Sequence, residues 1–179
     1  MNLENHPKVD RLLRAANLLS AVGVVIGGIL FSLMTLLILA EVLLRTFFDK
    51  STLVASEYSG YLLAAMIYLA LAYSFREGAQ IRISFMKERL KGLPLHLIEI
   101  ACTSIAAILC TLSSIFLWDM VKTSFERGVV AYSVVETPLW IPQSTVLVGM
   151  ILLLFQVLAY LLYLVFRGPG AVESNPVNI

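Results

Sequence analysis

The sequence predicts an all-α integral membrane protein with four transmembrane helices. Hydrophobic residues make up 59% of the chain and charged residues 14%, with a mean hydropathy of +0.88, whereas an average soluble domain has roughly 25% charged residues. Asp, Glu, Lys and Arg are absent from residues 15–40, 58–75, 100–118 and 137–166. At about 1.5 Å per residue, each stretch is comparable with or longer than the roughly 30 Å hydrocarbon core of a bilayer.

We place the four spans in one membrane domain covering residues 1–179, because the loops between them are too short for a second folded domain. The first apolar run is interpreted as a retained span and not as a signal peptide. It exceeds the length of a signal-peptide core, and no small-residue cleavage pattern follows it. The predicted spans are residues 15–44, 57–75, 95–118 and 138–166.

The distribution of Lys and Arg predicts the orientation of the spans. Nine of these residues lie in the N-terminal tail, the second loop and the C-terminal tail, and four lie in the first and third loops. The positive-inside rule therefore predicts that both termini are cytoplasmic. The net charge of +1 gives no indication of nucleic-acid binding.

Residues 82–92 of the second loop predict a short amphipathic helix lying in the cytoplasmic interface. Apolar residues recur on one face, while Arg82, Lys87 and Arg89 lie largely elsewhere, before Gly92 and Pro94 end the pattern. We expect these basic residues to contact phospholipid headgroups. The polar tail, residues 168–179, is expected to be disordered.

The predicted spans lack the chemistry of an independent transporter or an enzyme. An ion-coupled transporter usually needs ionisable groups near the middle of the membrane, and the interiors of the predicted spans contain none. The two histidines, His6 and His96, do not suit a haem held within the bundle. No nucleophile and base arrangement, metal-ligand cluster or phosphate loop is evident, so we expect no enzymatic activity, metal or cofactor.

Small residues in the first and third spans predict close helix contacts. Gly23 and Gly27 form a GxxxG motif, which can pack against a helix of the same chain or of a partner protein. Internal packing is favoured, and a partner interface stays open. Cys102 and Cys110 are interpreted as small packing residues within span three and not as a disulfide.

Three charged residues mark the outer ends of the first two spans. Glu41 and Arg45 are four residues apart and can pair on a continuous helix, and Glu57 opens span two. They are either ordinary interface charges or a polar contact surface for a partner.

The segment "REGAQIRIS", residues 76–84, follows the second span and contains Arg76, Gly78, Gln80 and Arg82. Gly78 permits a turn out of the helix, and the arginines contribute to the orientation signal. With Arg45 after span one and Glu57 at the start of span two, this segment resembles the small membrane subunit of tripartite ATP-independent periplasmic (TRAP) transporters. The four-span layout agrees with that family, although Gln80 stands where the family commonly has His.

The resemblance implies a non-catalytic subunit of the bacterial inner membrane. Its partners would be a large membrane subunit, which carries the substrate and sodium sites, and a periplasmic binding protein that delivers an organic acid. The small subunit would brace the former and help to dock the latter. The alternatives are a self-sufficient homo-oligomeric transporter or channel and a membrane electron carrier. The substrate is not encoded in these residues.

Overall fold

The computed structural model describes residues 7–49, 54–77, 92–133 and 135–167. In these ranges the backbone forms four α-helices, and β structure is limited to one isolated bridge, between Val130 and Pro138. All four helices are long and apolar enough to cross a membrane, which confirms the predicted all-helical architecture with four spans. In chain order the helices are α1 (Pro7–Phe48), α2 (Ala55–Arg76), α3 (Leu93–Glu126) and α4 (Trp140–Arg167).

The helices differ greatly in length. Helix α2 has 22 residues, or about 33 Å, which suits a single crossing, whereas α1 has 42 residues, or about 63 Å. Helix α3 continues past the predicted end of its span, residue 118, to Glu126. Lys122 and Glu126, four residues apart with charged atoms 3.9 Å apart, lie on this exposed extension. A charged residue ends a span in the membrane without ending the helix, which explains the difference.

Local backbone signals set the bounds of α3. Gly92 precedes the helix with a φ of +74°, a conformation that favours glycine, and Pro94 lies in the first turn. Gly128, with a φ of +59°, follows the last turn. The chain then reverses direction and enters α4 at Trp140.

Helix α4 forms the centre of the bundle. It packs against α1, α2 and α3, while α1 also packs against α2 and the main contact of α3 is with α4. One end of the bundle, which we call the inner end, holds the start of α1 and the end of α4; the opposite end is the outer end. The main hydrophobic core lies at the inner end and consists of Leu13, Ala16, Leu95, Ala159, Tyr163 and Leu164.

Glycines allow the closest helix approaches. A β-carbon at Gly23 would lie 2.8 Å from the carbonyl oxygen of Leu69, and one at Gly149 would lie 2.5 Å from the carbonyl carbon of Tyr68. Both neighbours are backbone atoms of α2, which a side-chain rotation cannot move. The close contacts of α2 with α1 and α4 therefore depend on glycine, which has no side chain, at these two positions.

The contacts between α1 and α2 fix the register of the two antiparallel helices. Residues 17, 23 and 27 of α1 lie opposite residues 76, 69 and 66 of α2. Extending this register places the start of α2 level with about residue 38 of α1, so α1 continues about 15 Å further. No residue of α1 beyond Gly27 is buried, so the bundle covers its inner half more than its outer half.

Several predicted features lie outside the described residues. They include residues 82–91 of the interfacial helix and the tail, residues 168–179. Cys102 and Cys110 are both free thiols, and Cys110 is half-buried whereas Cys102 is exposed on the surface of the bundle.

Candidate functional site

A set of polar side chains from all four helices meets near the inner end of the bundle. We call Asn17, Arg76, His96, Glu99, Gln156 and Tyr160 the inner polar layer. Gln156 Nε2 donates a hydrogen bond to Asn17 Oδ1 at 3.0 Å, linking α4 to α1. Tyr160 OH donates to Glu99 Oε1 at 2.6 Å, linking α4 to α3.

The arginine of the layer links α2 to α1. Arg76 Nη1 donates to the carbonyl oxygen of Asn17 at 3.3 Å, and its guanidinium lies 5.3 Å from the ring centroid of Tyr73. Glu77 Oε1 is 3.8 Å from Arg76 Nε. The side chain is thus folded against the bundle, where it supports helix packing besides contributing positive charge at this end.

Burial makes the inner polar layer energetically important. Glu99 is 4% exposed, Gln156 3% and His96 6%. Polar groups at such positions are costly unless they are hydrogen-bonded. Four atoms of the layer have no hydrogen-bond partner in the part of the chain that the structure describes: Glu99 Oε2, His96 Nδ1, Gln156 Oε1 and Arg76 Nε.

A second polar cluster lies at the outer end, where the loop between α3 and α4 closes over the start of α2. Tyr61 OH donates to Glu57 Oε1 at 2.8 Å, and Thr137 Oγ1 donates to Tyr58 OH at 3.3 Å. Ser133 presents its hydroxyl toward the Glu57 carboxylate, although neither Ser133 Oγ nor Glu57 Oε2 completes a hydrogen bond. We call Glu57, Tyr58, Tyr61, Ser133 and Thr137 the outer polar cap.

The loop above the outer polar cap has a defined backbone. Ala131 N–H donates to the carbonyl oxygen of Thr137 at 2.9 Å, and Leu139 N–H donates to that of Val129 at 3.0 Å. These bonds hold a short hairpin whose tip presents Tyr132, which is fully exposed. An apolar ring on an exposed tip is a suitable anchor for a partner protein.

Glu41 and Arg45 lie on the outer extension of α1. Arg45 Nη2 is 3.8 Å from Glu41 Oε1, as their spacing predicts, with 68% of the Arg45 side chain and 14% of the Glu41 side chain exposed. They are remote from the inner polar layer along α1. Gly23 and Gly27, by contrast, are buried against α2. Of the two alternatives for the GxxxG motif, this position corresponds to packing within the chain.

Comparison with known proteins identifies the type of membrane protein. The family model described as "Tripartite ATP-independent periplasmic transporters, DctQ component" matches residues 34–167, about three quarters of the chain. The chain belongs to this family. The DctQ family comprises transporter components and not enzymes, and it associates this chain with the other components of a tripartite transporter. No curated protein and no solved structure matches significantly.

The structure places the predicted site residues of this DctQ chain in different regions. Arg76 joins the inner polar layer, Glu57 the outer polar cap, and Glu41 and Arg45 the extension of α1. The remaining predicted residues of the inner loop lie outside the described ranges: Gly78, Gln80, Arg82, Lys87 and Arg89. They stay predictions.

Sequence reasoning missed most of the inner polar layer in this DctQ chain. Glu99 precedes the uncharged stretch 100–118 but lies within the predicted span 95–118, and α3 starts six residues before it, at Leu93. Gln156 and Tyr160 are four residues apart within an apolar helix and therefore share a face. Polar residues at helical spacing inside a span were the available signal.

Proposed function

We propose that this DctQ-family chain is the small, non-catalytic membrane subunit of a TRAP transporter in the bacterial inner membrane. It braces the large membrane subunit, which binds substrate and sodium, and helps to dock the periplasmic binding protein during uptake of an organic acid. The observation that carries the proposal is the family match across residues 34–167.

The proposed orientation places the inner end of the bundle in the cytoplasm. Nine Lys and Arg residues in the two tails and the second loop, against four in the first and third loops, support this assignment. The outer polar cap and the extension of α1 then face the periplasm. Inner-loop residues Arg82, Lys87 and Arg89 would lie at the phospholipid headgroups.

Two surfaces are proposed to brace the large subunit. One is the outer half of α1, residues 28–48, and the other is the exposed side of α3. Large apolar side chains are exposed on both, among them Leu33 and Leu36 on α1 and Ile115 and Phe116 on α3. Permanent subunit interfaces are large and strongly apolar. Lipid can cover the same surface within the bilayer, so the experiment must separate lipid from protein contact.

The surface proposed to help dock the binding protein lies at the outer end. Glu41 and Arg45 on α1 and Tyr132 at the hairpin tip are its candidate contacts. A binding protein that associates and dissociates needs a more polar contact than a permanent subunit does. Two charged residues and an exposed aromatic ring at the same end of the bundle meet that requirement.

Photo-crosslinking tests the bracing surface. A photoreactive amino acid replaces Leu36 on the outer half of α1. In the control it replaces Ile67 on α2, which is also an exposed aliphatic residue. The chain is expressed with the large membrane subunit encoded beside it, and cross-linked products are identified by mass spectrometry. We expect Leu36 to cross-link to the large subunit much more strongly than Ile67.

Two outcomes would contradict the proposal, the first in the role of the chain and the second in the surface that carries it. If the chain never co-purifies with the large subunit and alone moves a solute in liposomes, it is a self-sufficient transporter. If it co-purifies but neither position cross-links, the subunit role stands and the assigned surface is wrong.

The inner-loop arginines allow a separate test. Arg76→Ala combined with Arg82→Ala should lower the yield of the complex and solute uptake, because it removes positive charge and the Arg76 contact with Asn17. Unchanged yield and uptake would reduce the "REGAQIRIS" segment to a topology signal. Arg82→Ala alone separates the two contributions, since it leaves the Arg76 contact with Asn17 in place.

A further inference from the structure

The inner polar layer contains four buried acceptor or donor atoms that the described protein atoms do not hydrogen-bond. Three of them, Glu99 Oε2, His96 Nδ1 and Gln156 Oε1, belong to residues more than nine-tenths buried. The fourth, Arg76 Nε, lies 3.8 Å from Glu77 Oε1 in an ion pair. Glu99 Oε1 accepts from Tyr160, and Gln156 Nε2 donates to Asn17. Glu99 Oε2 and Gln156 Oε1 are thus the remaining acceptor atoms of side chains that already link helices.

The helical spacing brings these groups to one seam. His96 and Glu99 are three residues apart on α3, so they share a face, as do Gln156 and Tyr160 on α4. The bond between Tyr160 and Glu99 places Glu99 Oε2 where α3 meets α4. The bond between Gln156 and Asn17 places Gln156 Oε1 about one turn away along α4, towards α1.

The chemistry of these atoms selects the ligand. A carboxylate oxygen and an amide oxygen accept hydrogen bonds, while a ring nitrogen of His96 can donate or accept. Water can serve both kinds of atom, whereas an anion would be repelled by Glu99. The described residues contain no group of three or more His, Cys, Asp and Glu side chains able to hold a metal ion.

We propose that the inner polar layer is a binding site for ordered water, which completes the hydrogen bonding of Glu99, Gln156 and His96. Buried water is a normal structural component where several polar groups converge. Since the main contact of α3 is with α4, water at this seam joins α3 to the rest of the bundle through exchangeable hydrogen bonds. The inner end would then contain a hydrated contact between helices next to the hydrophobic core.

Hydroxyl-radical footprinting with X-ray pulses tests the proposal on the full chain in lipid nanodiscs. Radicals formed from a bound water label the side chain beside it, and water enriched in ¹⁸O identifies the source. The labelling rate of each residue is divided by its rate in the denatured chain. We expect His96 and Tyr160 to be labelled several-fold faster, on this scale, than the comparably buried Leu69 and Leu147, which are 7% and 6% exposed.

Variants sharpen the result. Glu99→Gln retains hydrogen-bonding atoms and should keep the labelling of Tyr160, whereas Gln156→Leu removes an acceptor and should reduce it several-fold. Labelling of His96 and Tyr160 as slow as that of the two leucines in the unmodified chain would overturn the proposal, even if a variant fails to fold. A large change on replacing sodium by choline would also overturn it, because it would indicate a bound ion instead of water.

Discussion

At the inner end of the bundle, Tyr160 donates a hydrogen bond to Glu99 on another helix; at the outer end, Tyr61 donates a similar bond to Glu57 on its own helix. The donor–acceptor distances are 2.6 and 2.8 Å. Glu99 is buried, whereas Glu57 is only half-buried. The same pair of residue types, Tyr and Glu, therefore links two helices at the inner end and lies on a single helix at the outer end.

The difference extends to the other polar contacts of each region. The inner polar layer joins α1 to α2 and α4, and α3 to α4. Outer contacts are mainly local, such as Glu41 with Arg45, or connect α2 to the loop above it through Thr137. Cross-helix polar bonds hold the inner end together, and local bonds leave the surfaces at the outer end less covered by the bundle.

Removing the two tyrosine hydroxyls should give the largest contrast. Tyr160→Phe leaves both oxygens of buried Glu99 without a partner among the described residues, so we expect a loss of about 1–3 kcal/mol in the free energy of unfolding. Tyr61→Phe removes one i, i+4 contact and should cost at most about 0.5 kcal/mol. Unfolding of the chain in mixed micelles measures both.

Equal losses for the two substitutions would contradict the proposed difference between the ends. Glu99→Gln provides a further control, because it retains an acceptor for the Tyr160 hydroxyl. It should destabilise the chain less than Tyr160→Phe does.

Two glycines of α1 compare a covered face with an open one. Gly23→Ala places a methyl group 2.8 Å from the backbone oxygen of Leu69, and we expect a loss of about 1–2 kcal/mol despite the better helix propensity of alanine. Gly28 has nothing within 4 Å of its added β-carbon, so Gly28→Ala should be neutral or stabilise by up to about 1 kcal/mol. Thermal unfolding in detergent ranks the two variants.

A destabilising Gly28→Ala would mean that this face is also in close contact. If the loss appeared only in the complex with the large subunit, Gly28 would lie at that interface. The isolated chain therefore has to be measured beside the complex.

Only a small effect on stability is expected at the outer pair, Glu41 and Arg45. Arg45→Ala breaks an ion pair whose arginine is largely exposed, and such pairs contribute about 0–1 kcal/mol. If this surface docks the binding protein, uptake should fall while the free energy of unfolding barely changes. Lys122→Ala, which breaks an exposed pair on α3, is the matched control and should leave uptake closer to normal.

The sequence predicted the helices better than their ends. Uncharged stretches identify spans because a charged side chain is costly at any position within the hydrocarbon core. This signal was sufficient to locate the four helices. Helix ends depend on local signals outside the bilayer, such as Gly92 and Gly128 at the two ends of α3. Those signals do not register in a count of uncharged residues.

The inner polar layer was hidden for a different reason. Glu99 borders an uncharged stretch, and only the contact with Tyr160 on another helix shows that it is buried. Asn17 lies in α1 and meets Gln156 across 139 positions of sequence. Such pairings depend on helix register, which the local sequence pattern does not contain.

The unequal lengths of α1 and α2 have a consequence for how far the chain reaches. Helix α2 has 22 residues, and α1 rises about 15 Å beyond its start. In the proposed orientation these last turns of α1, which carry Arg45, project into the periplasm. A partner that contacts them would be held about three helical turns above the level at which α2 begins.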